Sequence, residues 1–149
     1  MKVISILGAL LLVACGGSVA QDPAELGFNS VLAEDVHWVQ DADFPGLSRA
    51  TLAGDPSEPG LYVIRVRFGP GVMSSPHLHD QDRHVVVVSG TWGMGIGDSF
   101  DCANTQPMPA GAYAMHPAGA MHFDGSCNGE EVVVQIVGMG PVLTTRPSL

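Results

Sequence analysis

Lysine is almost missing: the only one in 149 residues is Lys2. No lysine further along the chain is available for Schiff-base chemistry. Lys and Arg together number 6 against 15 carboxylates, giving a formal net charge of −9 and a pI near 4.8. A protein that grips a phosphate backbone needs clustered cations, so nucleic acid is excluded as an expected partner. Cysteine is scarce too. There are three, and none has another within a few residues, which argues against a cysteine-based metal cluster. Helical periodicity is absent beyond the N-terminal segment. The one long apolar run, Val3 to Val13, is too short to span a bilayer.

That run belongs to a leader. One positive charge, the apolar stretch and then small residues make residues 1–20 a signal peptide. Two cleavage patterns fit. Leu12-Val13-Ala14-Cys15 resembles a bacterial lipobox, in which Cys15 would be lipidated and become the new N-terminus. Ser18-Val19-Ala20 fits ordinary signal-peptidase cleavage. Either pattern predicts an exported protein, periplasmic or extracellular, with a membrane-anchored lipoprotein as one form. Export leaves Cys102 and Cys127 as an even pair in an oxidising compartment, both in polar, turn-rich loops, and predicts a disulfide between them.

What is abundant is apolar residues (46%) with Gly 19 and Pro 11, a composition of short strands and many turns. Residues 21–35 look like a tether, with a single domain over 36–149. DADFPG and LAGDPSEPG are turn sequences. Between the second of these and FGPG, Ile64, Val66 and Phe68 alternate with Arg65 and Arg67, which is strand periodicity with a solvated arginine face. Val85 to Val88 is a continuous β-branched run, the pattern of a strand covered on both faces. In TWGMGIG, Trp92, Met94 and Ile96 share one face and the glycines the other, leaving room for a cavity or a close approach. Further strands are expected at 113–116, 121–124 and 132–137. The fold class is all-β, a sandwich or barrel.

Five of the six histidines, His77, His79, His84, His116 and His122, lie between positions 77 and 122. On a strand His77 and His79 point to one face. Neutral imidazoles suit Fe, Mn, Zn, Ni or Cu. His37 has no partner in sequence. Nothing places a nucleophile beside these histidines, so no Ser-His-Asp or Cys-His arrangement is expected.

Gly71-x5-His77-x-His79-x3-Arg83-x6-Gly90 resembles the first cupin motif, and Gly111-x5-Pro117-x-Gly119-x2-His122 resembles the second, whose trailing Asn is Ser126 here. The resemblance implies a double-stranded β-helix, a small jelly-roll barrel. It also implies a divalent transition metal held by His77, His79 and His122. The motif's fourth ligand, a glutamate, is Arg83 in this chain. A guanidinium does not ligate a metal and stays charged. About 5 Å from a divalent ion, at an effective dielectric of about 20, the repulsion is on the order of several kcal/mol.

Three arrangements would resolve that conflict. A one-residue bulge could turn His84 inward and complete a four-His site. Three His plus solvent could hold the metal, with Arg83 paired to Asp80 or Asp82 or directed away. Or the pocket could be metal-free, with Arg83 binding an anion. His116 either lines the pocket or is a buried strand histidine. Arg83 and His116 are therefore the expected second-sphere or anion-binding groups.

Two functions follow. One is a metal-dependent enzyme of oxidoreductase, isomerase or lyase type acting on a small molecule. The other is a module that binds a metal or a small anion without chemistry; the blandest alternative is a structural barrel whose histidines are relics. Dimerisation through sheet edges would cover exposed strands in either case.

Overall fold

A computed structural model describes residues 27–147. The expected leader (1–20), the lipidation candidate Cys15 and residues 21–26 of the tether lie outside the described residues. The compact unit that carries the strands begins at Val31. Inside the stretch expected to be tether, Ala33–Asp35 form a 3-10 turn.

The strands are β1 (Val39–Gln40), β2 (Leu47–Ala53), β3 (Gly60–Phe68), β4 (Leu78–His79), β5 (Arg83–Ser89), β6 (Thr91–Ile96), β7 (Thr105–Pro109), β8 (Tyr113–His116), β9 (His122–Gly125), β10 (Val132–Gly140) and β11 (Thr144–Thr145). No α-helix occurs among the described residues. One sheet has the order β1-β2-β3-β10-β5-β8, a second β7-β6-β9, and β11 pairs with β4. All pairings are antiparallel. This is an all-β jelly-roll barrel, as the motifs imply.

Alternation builds the core. Tyr62, Ile64, Val66 and Phe68 of β3 point inward with Val85 and Val87 of β5 and Val132, Val134 and Ile136 of β10. Trp92 and Met108 close the core from the smaller sheet. Arg65 and Arg67 fall on the outer face: Arg65 bonds Gln135 Oε1 at 3.2 Å, and Arg67 lies over the Trp38 ring. The valine run corrects one expectation. Only Val85 and Val87 are buried; Val86 and Val88 are 42% and 43% exposed. Among the described residues nothing forms a second layer over Val86 and Val88 on the outer face of the large sheet, so the run is covered on one side.

The bare face of β6 is used for close approach. A Cβ on Gly95 would sit 2.2 Å from the Phe123 ring. Gly90 makes the β5–β6 turn at φ +75°, where a Cβ would also meet the Glu131 carbonyl. The Cys102–Cys127 disulfide is present, with a Cα–Cα separation of 5.7 Å, and ties the loop after β6 to the loop after β9. Ser126 joins the ends of the two motifs. Its hydroxyl accepts from Gly71 N–H and donates to the Glu130 carbonyl.

Candidate metal centre and the barrel cavity

His77 lies just before β4, and His122 opens β9. Their backbones exchange both hydrogen bonds, His77 N–H to His122 O at 2.8 Å and the reverse at 2.9 Å. Such a doubly bonded antiparallel pair sets both side chains on one face. The ring centroids are 4.3 Å apart. His79, on the same face of its strand as His77, brings its ring to 4.9 Å from His77 and 5.4 Å from His122. One nitrogen from each of the three lies within 4.8 Å of the others, and all three residues are buried.

The other ring nitrogens are engaged. His77 Nδ1 meets the Ser75 carbonyl at 2.8 Å, and His122 Nδ1 meets the Ala120 carbonyl at 2.9 Å. A carbonyl only accepts, so both rings carry the proton on Nδ1 and keep a lone pair on Nε2. His79 Nδ1 meets Thr144 Oγ1 at 3.1 Å. Nε2 of His79 and of His122 is buried with no hydrogen-bond partner. A buried polar atom without a partner costs free energy unless something else satisfies it. Backbone or hydroxyl anchors on one nitrogen, with free nitrogens converging, is the pattern of imidazole ligands. The donor set therefore fits a divalent transition metal.

Burial keeps these rings neutral. It pushes His77 down to about 4, with His122 and Arg83 acting in the same direction and Asp124 opposing. His79 is pushed down to about 2, by burial first and then by Arg83. His122 is lowered too, chiefly by burial.

His116 ends β8 behind this cluster. Its ring is 4.0 Å from that of His122 and stacks on Trp92 at 5.5 Å. Neither of its nitrogens has a partner, and burial pushes it down to about 3.

Two expectations about β5 are corrected. The strand carries no bulge at Arg83 and His84: they pair in register with Gly138 and Val137 on one side and with His116 and Met115 on the other. With the register kept, side chains alternate, and His84 points outward. It is exposed and bonds the Tyr113 hydroxyl at 2.8 Å, so it does not join the cluster. Arg83 points inward and is only 8% exposed. Its expected acidic partners are committed elsewhere. Asp80 accepts from Leu143 N–H and Asp82 from Ala118 N–H, each at 2.7 Å. Arg83 is thus neither paired to a neighbouring aspartate nor directed away.

Three residues not anticipated complete the interior. Asp124 lies two positions after His122 on the same strand face and is buried, held by the Ser74 hydroxyl at 2.6 Å. Burial opposes its charge, but His77, His122, His116 and the Ser74 bond together hold its carboxyl below the usual range. Tyr62 is fully buried, and its hydroxyl has no hydrogen-bond partner. The spacing His122-x-Asp124 in a strand was the available signal for Asp124. Tyr62 and Ser74 carry no comparable mark in sequence. A cavity of about 360 Å³ opens onto His77, His79, Asp124, Arg83 and Tyr62.

This is the architecture and histidine arrangement of a cupin. The chain belongs to the family of the ChrR cupin-like domain, whose model matches residues 29–143. It is 28% identical over 124 residues to germin-like protein subfamily 2 member 1 of Arabidopsis thaliana. That match covers 70% of this chain and 57% of the relative, so the chain spans little more than half of the relative's length. Among solved structures it is similar to the polyketide cyclase RemF of Streptomyces resistomycificus, with a TM-score of 0.65, 19% identity, and 81% and 87% of the two chains covered. It is also similar to a sugar phosphate isomerase of the cupin superfamily from Silicibacter pomeroyi, with a TM-score of 0.63, 21% identity, and 80% and 82% covered. At these identities the structural likeness establishes the fold.

Proposed function

We propose that this protein binds one divalent transition metal through Nε2 of His77, His79 and His122 and acts as a metal-dependent enzyme on a small molecule. The observation that carries this reading is the division of labour within each ring: Nδ1 is anchored to an oxygen, which leaves Nε2 for a ligand, in a cluster where one nitrogen of each ring lies within 4.8 Å of the others. Three protein ligands leave positions open, as catalytic metal sites do. When bound, such an ion supplies Lewis acidity or a site for oxygen. The chain's own residues supply the rest. The barrel buries the three histidines, and Asp124 offers a buried carboxylate beside the cluster. The cavity is at the lower end of the roughly 300–1,000 Å³ typical of small-molecule sites. A cyclase and an isomerase among the similar structures support the enzymatic reading.

One observation favours a second reading, a binding module without chemistry: Arg83 stands where the cupin motif has its glutamate. Metal content of tag-free protein, compared with His77→Ala and His122→Ala, tests the site. Near-stoichiometric metal in the wild type and its loss in both variants is the expected result. A wild type that neither carries nor takes up a metal contradicts it.

We further propose export, with Cys15 as a lipid anchor. The support is the leader pattern and a disulfide, which persists in oxidising compartments. Labelling with a fatty acid in the producing cell, lost in Cys15→Ala, is the expected result. An unlabelled protein whose N-terminus is Gln21 would instead mark ordinary signal cleavage.

A further inference from the structure

Arg83 does not act alone on its sheet. In register it faces Gly138 of β10, and Gly138 faces Tyr62 of β3. Tyr62, Gly138 and Arg83 thus form one inward row across three strands. Glycine is required in the middle: a Cβ at Gly138 would sit 2.5 Å from the Tyr62 hydroxyl. The gap lets the phenol lie over the middle strand, toward the arginine. Both groups are buried and near enough for the guanidinium and the phenol to act on each other, yet neither the Tyr62 hydroxyl nor Arg83 Nε has a well-formed hydrogen bond. Among the described residues no carboxylate comes within ion-pair distance of Arg83; the ion pair at the cavity mouth is Arg49–Asp41 at 2.6 Å. Both donors line the same cavity, whose neighbouring wall is Ile64, Val66 and Ile136.

We infer that this row is the seat of a carboxylate, and that the small molecule received by the cavity is a compact monocarboxylic acid with an apolar body. This deepens the reading of the cavity as a small-molecule site and rests on it. A guanidinium matches a planar carboxylate with two parallel hydrogen bonds, and a phenol adds a third donor. Among the described residues Arg83 is the only buried cation on this cavity, which Asp124 shares; Arg49 and Arg146 also line it but are exposed, Arg49 paired with Asp41 and Arg146 lying over the Phe44 ring. A second carboxylate, or a phosphate dianion, would meet that negative charge without a further buried cation. The apolar wall leaves the body of the ligand to aliphatic or aromatic carbon.

Calorimetric titration of the purified protein tests this, first after removal of metal by a chelator and then after reloading. Propionate, benzoate, benzamide and methylphosphonate are the probes. The expected result is binding of the carboxylates, with benzamide and methylphosphonate at least about tenfold weaker. Arg83→Met should weaken benzoate by about 10- to 100-fold and Tyr62→Phe by several-fold, the sizes of charged and neutral hydrogen bonds. His84→Ala, at an exposed ring outside the cavity lining, should leave benzoate binding unchanged. Should Arg83→Met fail to fold because Asp124 loses its counter-charge, the Arg83→Met/Asp124→Asn double variant and Tyr62→Phe carry the test. Equal binding of benzoate and benzamide overturns the inference. So does no detectable carboxylate binding by folded wild type, a preference for methylphosphonate, or wild-type affinity in the Arg83 variants. A wild type that takes up no metal yet binds carboxylates through Arg83 overturns the metal reading and leaves this one standing.

Discussion

The two ends of the cavity solve opposite problems. At the three-histidine cluster, Nδ1–H of His77 and of His122 is spent on a carbonyl oxygen, His79 Nδ1 meets a hydroxyl, and Nε2 of His79 and of His122 is left without a partner. At the Tyr62–Arg83 row the groups left without a well-formed partner, the phenol hydroxyl and Arg83 Nε, can both donate. One end is prepared for a cation and the other for an anion. In a cupin of ordinary motif, the glutamate at the position of Arg83 would join the first end. Here that position has changed sides, and Asp124 supplies the buried negative charge from another strand. The difference teaches that a changed ligand position need not be a damaged one: Arg83 stays buried, level with Tyr62 across Gly138, whose missing Cβ leaves room for the phenol.

The comparison breaks most sharply by removing one end at a time. His77→Ala or His122→Ala should abolish metal binding while Arg83→Met retains it, as read by elemental analysis of chelator-treated and reloaded protein. Thr144→Ala, which removes the partner of His79 Nδ1, should weaken metal affinity by about 10- to 100-fold, as loss of an outer-shell partner does. Equal metal retention in every variant would end the distinction between the two ends.

The next effect is on the scaffold common to both. Breaking the disulfide with Cys102→Ser and Cys127→Ser should cost about 2–4 kcal/mol, measured by denaturant unfolding. Acid should separate the two ends. His77 and His116 have folded pKa values of about 4 and about 3, below the ordinary 6.5. The unfolded chain therefore takes up protons on these residues before the folded one does. Metal-free protein keeps their full contribution above pH 6.5 and loses stability, on the order of several kcal/mol, as pH falls toward 4. Urea unfolding at a series of pH values reads this directly, and a flat profile over that window would contradict the burial of neutral rings. The smallest effect is expected at His84→Ala. Metal content should be unchanged and stability altered by about 0.5 kcal/mol or less, since the ring is exposed and its hydrogen bond is to the Tyr113 hydroxyl.

Much of this was legible in sequence. The i, i+2 histidines, His122 after its Pro-Gly turn and the alternating strands led to the barrel and to three of its inward imidazoles, because strand periodicity decides which side chains share a face. The cysteine pair was legible from the leader pattern, which implies an oxidising compartment, and from the count. What escaped was of two kinds. The direction of Arg83 against His84 depends on whether β5 keeps its register, and adjacent residues swap faces with a one-residue slip. The Tyr62–Gly138–Arg83 row joins residues far apart in the chain, brought level only by the pairing of β3, β10 and β5. Gly138 reads locally as one more glycine in VGMG. The exposed Val86 and Val88 show the reverse limit, since an apolar run does not say whether a second layer exists.

The most direct test of the central claim is anomalous diffraction from crystals of the metal-loaded protein. The account predicts one strong peak bonded to Nε2 of His77, His79 and His122, at the roughly 2.0–2.1 Å of metal–imidazole bonds, with Arg83 turned toward Tyr62 and not toward the ion. A peak that includes His84, or no peak among the three histidines at full metal loading, would contradict it.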